Sequence, residues 1–183
     1  GMVVPKVESD HDIKEIVAHT QGERAIIPQI ESAKGIQHSY DIAKADPSIE
    51  RFAFGSLDFA WDIDCELTEG GLELLFARSQ LVIASRAAGI ASPIDTVYPD
   101  FHDHVGLEQE AIAVKQLGFK AKLIIHPKQI DPVNKVFSPS QEEIEWAKQI
   151  VKAFEQANDA AIQVDGKMVD LPVYKKAKDL LEH

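Results

Sequence analysis

Short apolar runs rich in β-branched and aromatic residues alternate along this chain with longer amphipathic stretches. The runs lie at 3–7, 25–30, 52–55, 94–98 and 123–126. Each run is too short for a helix and has the composition of a strand that is buried on both faces. Because strands that alternate with helices form parallel sheets with right-handed crossovers, the pattern predicts an α/β fold. Two architectures remain open, a doubly wound sheet and part of a (β/α) barrel.

The stretches between the runs carry the start and stop signals of helices. We expect a helix from Leu72 to Gly89 and another that ends at Gly118, since glycine is common just after the last turn of a helix. Ser140 lies where a third, long helix begins, and its hydroxyl can accept a hydrogen bond from an N–H of the first turn. Residues 160–183 lack this rhythm and predict a terminal arm with a final helix at 173–181.

The charge balance excludes several classes of function. The 183 residues contain 19 Lys and Arg against 30 Asp and Glu, a formal net charge of −11. Surfaces that bind nucleic acids or anionic membranes need clustered cations, so neither partner is expected. The single cysteine, Cys65, fits a reducing compartment, and no apolar run approaches the roughly 20 residues of a membrane span. We therefore expect a cytoplasmic globular protein.

Carboxylates follow two neighbouring runs at the point where each run ends. Glu31 comes directly after the second run, and Asp58 follows the third. In both architectures the carboxyl ends of the strands form the functional edge, and neighbouring strands lie roughly 4.8 Å apart. The two carboxylates are therefore candidates for one hard cation such as Mg²⁺, which usually takes one or two carboxylates and keeps several waters. The alternative is that these acids cap helices or pair with surface lysines.

Two more strand ends carry residues that suit a ligand. Gly55 follows the third run, where a glycine lets backbone N–H groups approach a substrate carboxylate closely; a simple tight turn explains the glycine equally well. His126 and Pro127 end the fifth run. The histidine there is either a base or ligand contact, or a structural residue.

Six motifs follow one another along nearly the whole chain. They are VPKVE at 4–8, IPQIESAKG at 27–35, FGSLD at 54–58, IDTVYPDF at 94–101, GFKAKLIIHP at 118–127 and GKMVDLPV at 166–173. In this order they resemble the citrate lyase beta-subunit-like family, within the HpcH/HpaI aldolase superfamily. Six ordered motifs are far more specific than a single glycine pattern.

The resemblance selects the barrel and implies an activity. It implies a TIM-type (β/α)₈ barrel that cleaves or forms a carbon–carbon bond beside an acyl thioester, such as a citryl-, malyl- or citramalyl-CoA. The products of cleavage are an oxo acid and a shorter acyl thioester. The family's Mg²⁺ ligands match Glu31 and Asp58. The family's backbone N–H groups for the oxo-acid carboxylate match Gly55, Ser56 and Leu57.

The last two motifs also acquire roles from the resemblance. Asp170 matches the catalytic acid or base, which in the family's acyl-CoA lyases reaches the site of a neighbouring subunit, so a homo-oligomer is expected. His126 and Pro127 match the loop beside the thioester arm, which belongs to coenzyme A or an acyl carrier. A metal that acts as Lewis acid and one proton-transferring group are sufficient for such a reaction, so no covalent nucleophile is needed.

The resemblance begins at the family's fourth strand. A full barrel needs about 250 residues and this sequence has 183, so we expect the first three strands to be missing, with the arginine they carry for the substrate carboxylate. The expected organisation is a partial barrel, residues 1–158, followed by a C-terminal arm or lid, residues 159–183. A misassigned start, a partner chain that completes the barrel and a fragment with another role each explain the missing strands.

Three functions remain open on these grounds. The first is an Mg²⁺-dependent carbon–carbon lyase acting on an acyl thioester. The second is a non-catalytic fragment or subunit that needs a partner for the missing half of the barrel. The third is a pyruvate-type aldolase that acts on free hydroxy-oxo acids, and the GKMVD motif at 166–170 favours the thioester branch over it.

Overall fold

The computed structural model describes residues 1–20, 24–157 and 161–182 of the chain. The chain divides into two compact units, Gly1–Phe137 and Ser138–His183. This division lies earlier in the chain than the boundary at residue 158 that the sequence suggests. Among the described helices, none combines the length and the apolar composition needed to cross a bilayer.

Five parallel strands form the sheet of the first unit, in the order β1-β2-β3-β4-β5. The strands are Met2–Val4 (β1), Ile26–Ile30 (β2), Ala53–Phe54 (β3), Ile94–Asp95 (β4) and Ala121–Lys122 (β5). Each strand pairs with the one before it in the chain; Ile30 lies beside Phe54, and Ile94 beside Ala121. This sequential order is that of a barrel wall, whereas a doubly wound sheet reverses its order at a switch point. The observed order therefore favours barrel-type winding.

At least one helix follows each of these strands along the chain. They are α1 (Asp10–Thr20), α2 (Ala33–Gln37), α3 (Ser39–Lys44), α4 (Ser56–Asp62), α5 (Leu72–Ala88), α6 (His104–Leu117), a short 3₁₀ helix (Pro127–Gln129) and α7 (Ile130–Phe137). The helix ends predicted at Gly89 and Gly118 are confirmed, because both glycines have left-handed φ angles, 81° and 114°. Their N–H groups donate to carbonyls of the preceding turn and so close the helices.

The core of the first unit lies between the sheet and its helices. Ile26 and Ile30 are fully buried at alternate positions of β2, and Phe52 and Phe54 are fully buried at β3. The ring of Phe54 packs against that of Phe59 in α4, with 5.6 Å between the ring centroids. Each such side chain contributes about 1.5–3 kcal/mol by its burial. The burial of Phe59 therefore anchors α4 against the end of β3.

The fifth strand, Ala121–Lys122, ends before the apolar run at 123–126, so the strand predicted at that run is wrong in position. Its pairing with β4 ends at the N–H of Leu123, which donates to the carbonyl of Asp95 at 2.8 Å. The side-chain oxygen of Gln129 then accepts the N–H groups of Ile125 and His126 at 2.9 and 3.2 Å. Because this buried amide supplies the acceptor that a strand would otherwise provide, the chain leaves the sheet early.

The second unit consists of two helices and a β-hairpin. Its elements are α8 (Gln141–Gln156), β6 (Ala161–Val164), β7 (Lys167–Asp170) and α9 (Leu171–Leu181). Ser140 caps α8, as the sequence predicts, by accepting the N–H of Glu143 at 3.0 Å. Val169 of the hairpin packs with Ala147, Ile150 and Ala177 in a small core of its own.

The hairpin is not among the elements predicted from the sequence. Its turn consists of Asp165 and Gly166, both with positive φ angles of 49° and 76°. An Asp-Gly pair with positive φ at both residues is the preferred two-residue turn between antiparallel strands. The Asp-Gly pair is therefore a sequence signal for a hairpin. The strands on either side of the pair have only four residues each, so their own patterns are weak signals.

Candidate metal centre

Glu31 is a buried carboxylate at the carboxyl end of β2. It follows the last residue of the strand directly, and it is only 5% exposed. The backbone N–H of Lys6 donates to its Oε1 at 2.9 Å, and the side-chain amide of Gln29 donates to its Oε2 at 2.5 Å. Both donors are neutral groups, and among the described residues no cationic side chain forms an ion pair with Glu31. Within the described ranges, this buried carboxylate therefore has no ion-pair partner.

Gly55 packs directly against this carboxylate. A Cβ atom at position 55 would lie 2.5 Å from Oε2 of Glu31 and 2.7 Å from its Cβ. Both distances are shorter than a van der Waals contact, so any larger residue would have to displace Glu31 or the strand that carries it. The φ angle of Gly55 is −110°, which other residues adopt easily. The glycine is therefore required by the close approach and not by a special backbone conformation.

Asp58 lies in the first turn of α4, which begins just after β3. Its side chain is 51% exposed, and Oδ1 is 3.3 Å from the ammonium nitrogen of Lys6. At the other end of α4, the carboxylate of Asp62 accepts the N–H of Ala33 at 2.7 Å and so ties α4 to the start of α2. The structure thus places both predicted metal ligands at the same edge of the sheet, each in contact with Lys6.

Two of the three N–H groups predicted to bind the oxo-acid carboxylate already donate hydrogen bonds within the protein. The N–H of Gly55 donates to the carbonyl of Ile30 at 3.0 Å. The N–H and hydroxyl of Ser56 both donate to the hydroxyl oxygen of Thr96, at 3.1 and 2.9 Å, in a buried contact. Among the three N–H groups named by the sequence, that of Leu57 is left as the candidate for a substrate carboxylate.

A cluster of three buried charged side chains and one half-buried side chain lies close along the chain to Thr96. Asp95 of β4 accepts hydrogen bonds from Arg78 of α5 at 2.9 and 3.1 Å and from Lys122 of β5 at 2.8 Å. Glu110 of α6 contacts both cations. This cluster is not predicted from the sequence, although Asp95 and Lys122 interrupt apolar segments. By fixing the end of β4, the cluster holds Thr96 where it can accept both hydrogen bonds from Ser56.

His126 and Pro127 lie just beyond the end of β5. The imidazole of His126 stacks on the ring of Phe101, with 4.5 Å between centroids and 13° between planes. Its Nδ1 accepts the N–H of Lys128 at 3.1 Å, which caps the 3₁₀ helix that begins at Pro127. In the part of the chain that the structure describes, this ring makes no hydrogen bond to Glu31 or Asp58. The two stacked residues, Phe101 and His126, remain partly exposed at the carboxyl edge of the sheet.

Asp170 belongs to the second unit and caps its last helix. It ends β7, and its Oδ1 accepts the N–H of Val173 at 3.2 Å in the first turn of α9. This contact uses one carboxylate oxygen and leaves the other for a further interaction. The catalytic role expected for Asp170 stays a prediction.

The residues around Glu31 fit a hard divalent cation. Two carboxylates with one lysine between them have a local formal charge of −1, and Mg²⁺ usually binds through one or two carboxylates together with waters or substrate oxygens. Within the described residues, no group of three or more His, Cys, Asp and Glu side chains is arranged to hold a metal. The remaining ligands of a cation at Glu31 and Asp58 would therefore be water and substrate.

Family models match most of the chain. The model for HpcH/HpaI aldolase/citrate lyase matches residues 1–127, and a model for a C–C bond lyase of the TIM-barrel fold matches residues 76–182. Citrate lyase subunit beta of Haemophilus influenzae is 36% identical over 192 residues, which cover 98% of this chain and 66% of the relative. The mitochondrial citramalyl-CoA lyase of Homo sapiens is 32% identical over 199 residues, which cover 98% of this chain and 58% of the relative.

A solved structure extends the similarity to the fold. Protein CitE from Mycobacterium tuberculosis, in complex with magnesium, acetoacetate and coenzyme A, is similar with a TM-score of 0.83 at 30% identity. The match covers 98% of this chain and 66% of that one. The chain thus spans slightly less than two thirds of the length of these relatives. The order of the strands, the edge that carries Glu31 and Asp58, and the match over residues 1–127 agree: this chain belongs to the HpcH/HpaI aldolase/citrate lyase family.

Proposed function

We propose that this chain carries the metal half of an Mg²⁺-dependent carbon–carbon lyase that acts on a coenzyme A thioester. The observation that carries the proposal is the pair of Glu31 and Asp58, joined by Lys6 at the carboxyl edge of a parallel sheet. The relatives named citrate lyase subunit beta and citramalyl-CoA lyase support this class of substrate. The CitE complex with magnesium, acetoacetate and coenzyme A supports both ligands.

The chain's own residues bind and orient the substrate in this proposal. Glu31 and Asp58 would hold the cation, which would supply Lewis-acid polarisation to the reaction. The N–H of Leu57 donates to the oxo-acid carboxylate, and Thr96 keeps the turn in place by accepting two hydrogen bonds from Ser56. His126, with Pro127 beside it, lines the path of the thioester arm through its stack on Phe101.

Asp170 is the proposed acid or base of the reaction. Cleavage of the carbon–carbon bond requires a proton to leave the substrate hydroxyl and another to reach the α-carbon of the released thioester. Asp170 keeps one carboxylate oxygen for this transfer while the other caps α9. Replacement of Asp170 by Asn retains the cap, so we expect it to remove turnover while metal binding persists.

The proposed barrel needs more strands than this unit contains. β1 and β5 each pair with one neighbour, and the fold of the family closes with eight strands. We propose a partial barrel whose open edges are completed by further strands, from a longer chain or a partner, or by association of copies. A unit without activity until it is completed is the second candidate function, and the two open edges favour it. Mass measurement in solution, with and without a complementing front half, separates these arrangements.

A thermal-shift titration tests the proposed metal centre. Mg²⁺ is added with and without a small oxo acid to the wild type, Glu31→Gln and Asp58→Asn. A ligand at a hundredfold excess over its Kd stabilises the native state by about 2.7 kcal/mol, and we expect both variants to lose this shift. Asp64→Asn is the control, because it removes the same charge from an exposed side chain that makes no hydrogen bond in the described structure. Equal shifts in all four proteins would contradict the proposal.

The substrate class is tested separately from the metal. The chain is incubated with a panel of acyl-CoA thioesters and with the matching free hydroxy-oxo acids, and released oxo acid is measured. The panel is tested with the chain alone and with the chain completed by a front half, and any turnover is expected with the thioesters only. Turnover of the free acids would favour the pyruvate-type aldolase, and binding without turnover would favour the unit that needs completion.

A further inference from the structure

We propose that Lys6 is a positioning residue of the cation site and an internal counter-cation that a divalent metal displaces. Its backbone N–H orients Glu31, and its ammonium group occupies the position on Asp58 that the metal would take. This inference rests on the proposed function of Glu31 and Asp58. It adds that the site holds a built-in competitor, which lowers its affinity for the metal and keeps Asp58 oriented when no metal is bound.

Lys6 contacts both carboxylates through two different groups. The main-chain N–H donates to Oε1 of Glu31 at 2.9 Å, and the side-chain Nζ lies 3.3 Å from Oδ1 of Asp58. The first contact involves a buried acceptor and the second an exposed pair. The main-chain contact therefore persists in any variant other than proline, whereas the ammonium contact depends on the side chain.

The backbone of Lys6 is held in a conformation that lysine seldom adopts. Its φ angle is 56°, in the left-handed region. On one side, Val4 still pairs with Pro28 in the β1–β2 ladder; on the other, the N–H of Val7 donates to the carbonyl of Gln29 at 3.3 Å. The chain is thus fixed to β2 before and after the turn. This arrangement imposes the left-handed turn, and the turn directs the N–H of Lys6 at Glu31.

The local charges make the ammonium group a weak substitute for a metal. Glu31 receives only neutral donors, and Asp58 pairs only with Lys6 among the described residues. Lys6 therefore supplies one positive charge to a site with two carboxylates, Glu31 and Asp58. A divalent cation that contacts both carboxylates would compete with the ammonium group for Asp58. The side chain of Lys6 is 73% exposed, so it can move into solvent without losing buried contacts.

Removal of the positive charge should therefore tighten metal binding. We would measure the Kd of Mn²⁺ from the free-ion paramagnetic signal, since Mn²⁺ shares the oxygen ligands of Mg²⁺. In Lys6→Met, we expect the Kd to fall about threefold to tenfold at low salt, with a smaller change at high salt because exposed charges are screened. Lys6→Arg is the matched control, which keeps the charge and should stay within about twofold of the wild type.

A second variant protects the test against a folding defect. Lys6→Gly keeps the N–H that binds Glu31, removes the ammonium and suits the left-handed φ angle. It should melt at or above the wild-type temperature and also bind Mn²⁺ more tightly. A Kd that is unchanged or raised in both Lys6→Met and Lys6→Gly would overturn the inference.

Glu31→Gln separates the failure of this inference from that of the proposed function. If Glu31→Gln abolishes Mn²⁺ binding while the two charge-removing variants leave the Kd unchanged, the metal centre stands and the role of Lys6 is wrong. If Glu31→Gln binds Mn²⁺ as the wild type does, or if none of the proteins binds it, both proposals are wrong. Binding that appears only after Lys6 is replaced would support the displacement directly.

Discussion

Two groups of charged residues in the first unit differ in how their charges are balanced. Around Asp95, two acids, Asp95 and Glu110, are matched by two bases, Arg78 and Lys122. The side chains of Asp95 and Lys122 are fully buried. Around Glu31, two acids share one lysine, and the buried acid receives neutral donors only. The first group satisfies itself within the protein. Among the described residues, the second group has two carboxylates and one lysine, an imbalance that we expect of a cation site and not of a structural ion cluster.

The largest loss of stability should follow from removal of the negative charge of Asp95. Asp95→Asn leaves Arg78 and Lys122 buried with only Glu110 between them. Breaking a buried ion pair by removing one partner typically costs 3–5 kcal/mol, so we expect a loss of about that size in urea denaturation. Glu108→Gln is the control, since it removes an exposed pair with Lys135 and should cost less than about 1 kcal/mol. Equal losses in both variants would contradict the distinction.

A smaller but more local effect is expected at Gly55. In Gly55→Ala the new methyl group would overlap Oε2 and Cβ of Glu31. Overpacking of this kind costs about 1–3 kcal/mol, and the displaced carboxylate should also lose the Mg²⁺-dependent thermal shift. Gly70→Ala is the control, because a Cβ there meets its nearest atom, in Thr68, only at 3.9 Å. A variant that melts lower yet keeps the full Mg²⁺ shift would show that Glu31 need not be held in place by this contact.

Glu31→Gln should be the least destabilising change at a buried acid. The amide retains an oxygen that accepts the N–H of Lys6, and Gln29 can turn its own amide so that its oxygen faces the new NH2 group. No buried cation is left without its partner. We expect its free energy of unfolding to stay within about 1.5 kcal/mol of the wild type, together with loss of the Mg²⁺ shift. The comparison with Asp95→Asn uses the same chemical change at two sites. If Glu31→Gln lowers the free energy of unfolding by about 3 kcal/mol or more, Glu31 is a structural residue like Asp95.

The sequence predicts the position of Glu31 and Asp58 well, because the carboxyl ends of parallel strands always meet at one edge of the sheet. It predicts the ends of α5 and α6 for a similar reason, since Gly89 and Gly118 adopt left-handed angles. It does not predict the role of Lys6, which depends on a φ angle that lysine rarely adopts. Nor does it predict the contact of Arg78 with Asp95, since residues 17 positions apart meet only after the sheet forms.

A half-buried pair tests whether neutral donors alone are enough to keep a carboxylate in place. The hydroxyl of Tyr98 donates to Asp103 at 2.6 Å, and the N–H of Gly106 donates to the same carboxylate at 2.9 Å. These hydrogen bonds lower the pKa of Asp103, and the one from Tyr98 raises the pKa of that phenol to about 12. As in the case of Glu31, no cation forms an ion pair with this acid among the described residues.

The pH dependence of this pair follows from the two shifts. The raised phenol pKa means that the stabilisation is complete below about pH 10 and is lost as the pH rises towards 12, while the lowered carboxyl pKa means that it is lost below about pH 4. Tyr98→Phe should therefore cost about 1 kcal/mol between pH 5 and 9, and the difference from the wild type should shrink on either side. A difference that does not change with pH would mean that ring packing, and not the hydrogen bond, accounts for the loss, and that neutral donors contribute little to holding an acid in this protein.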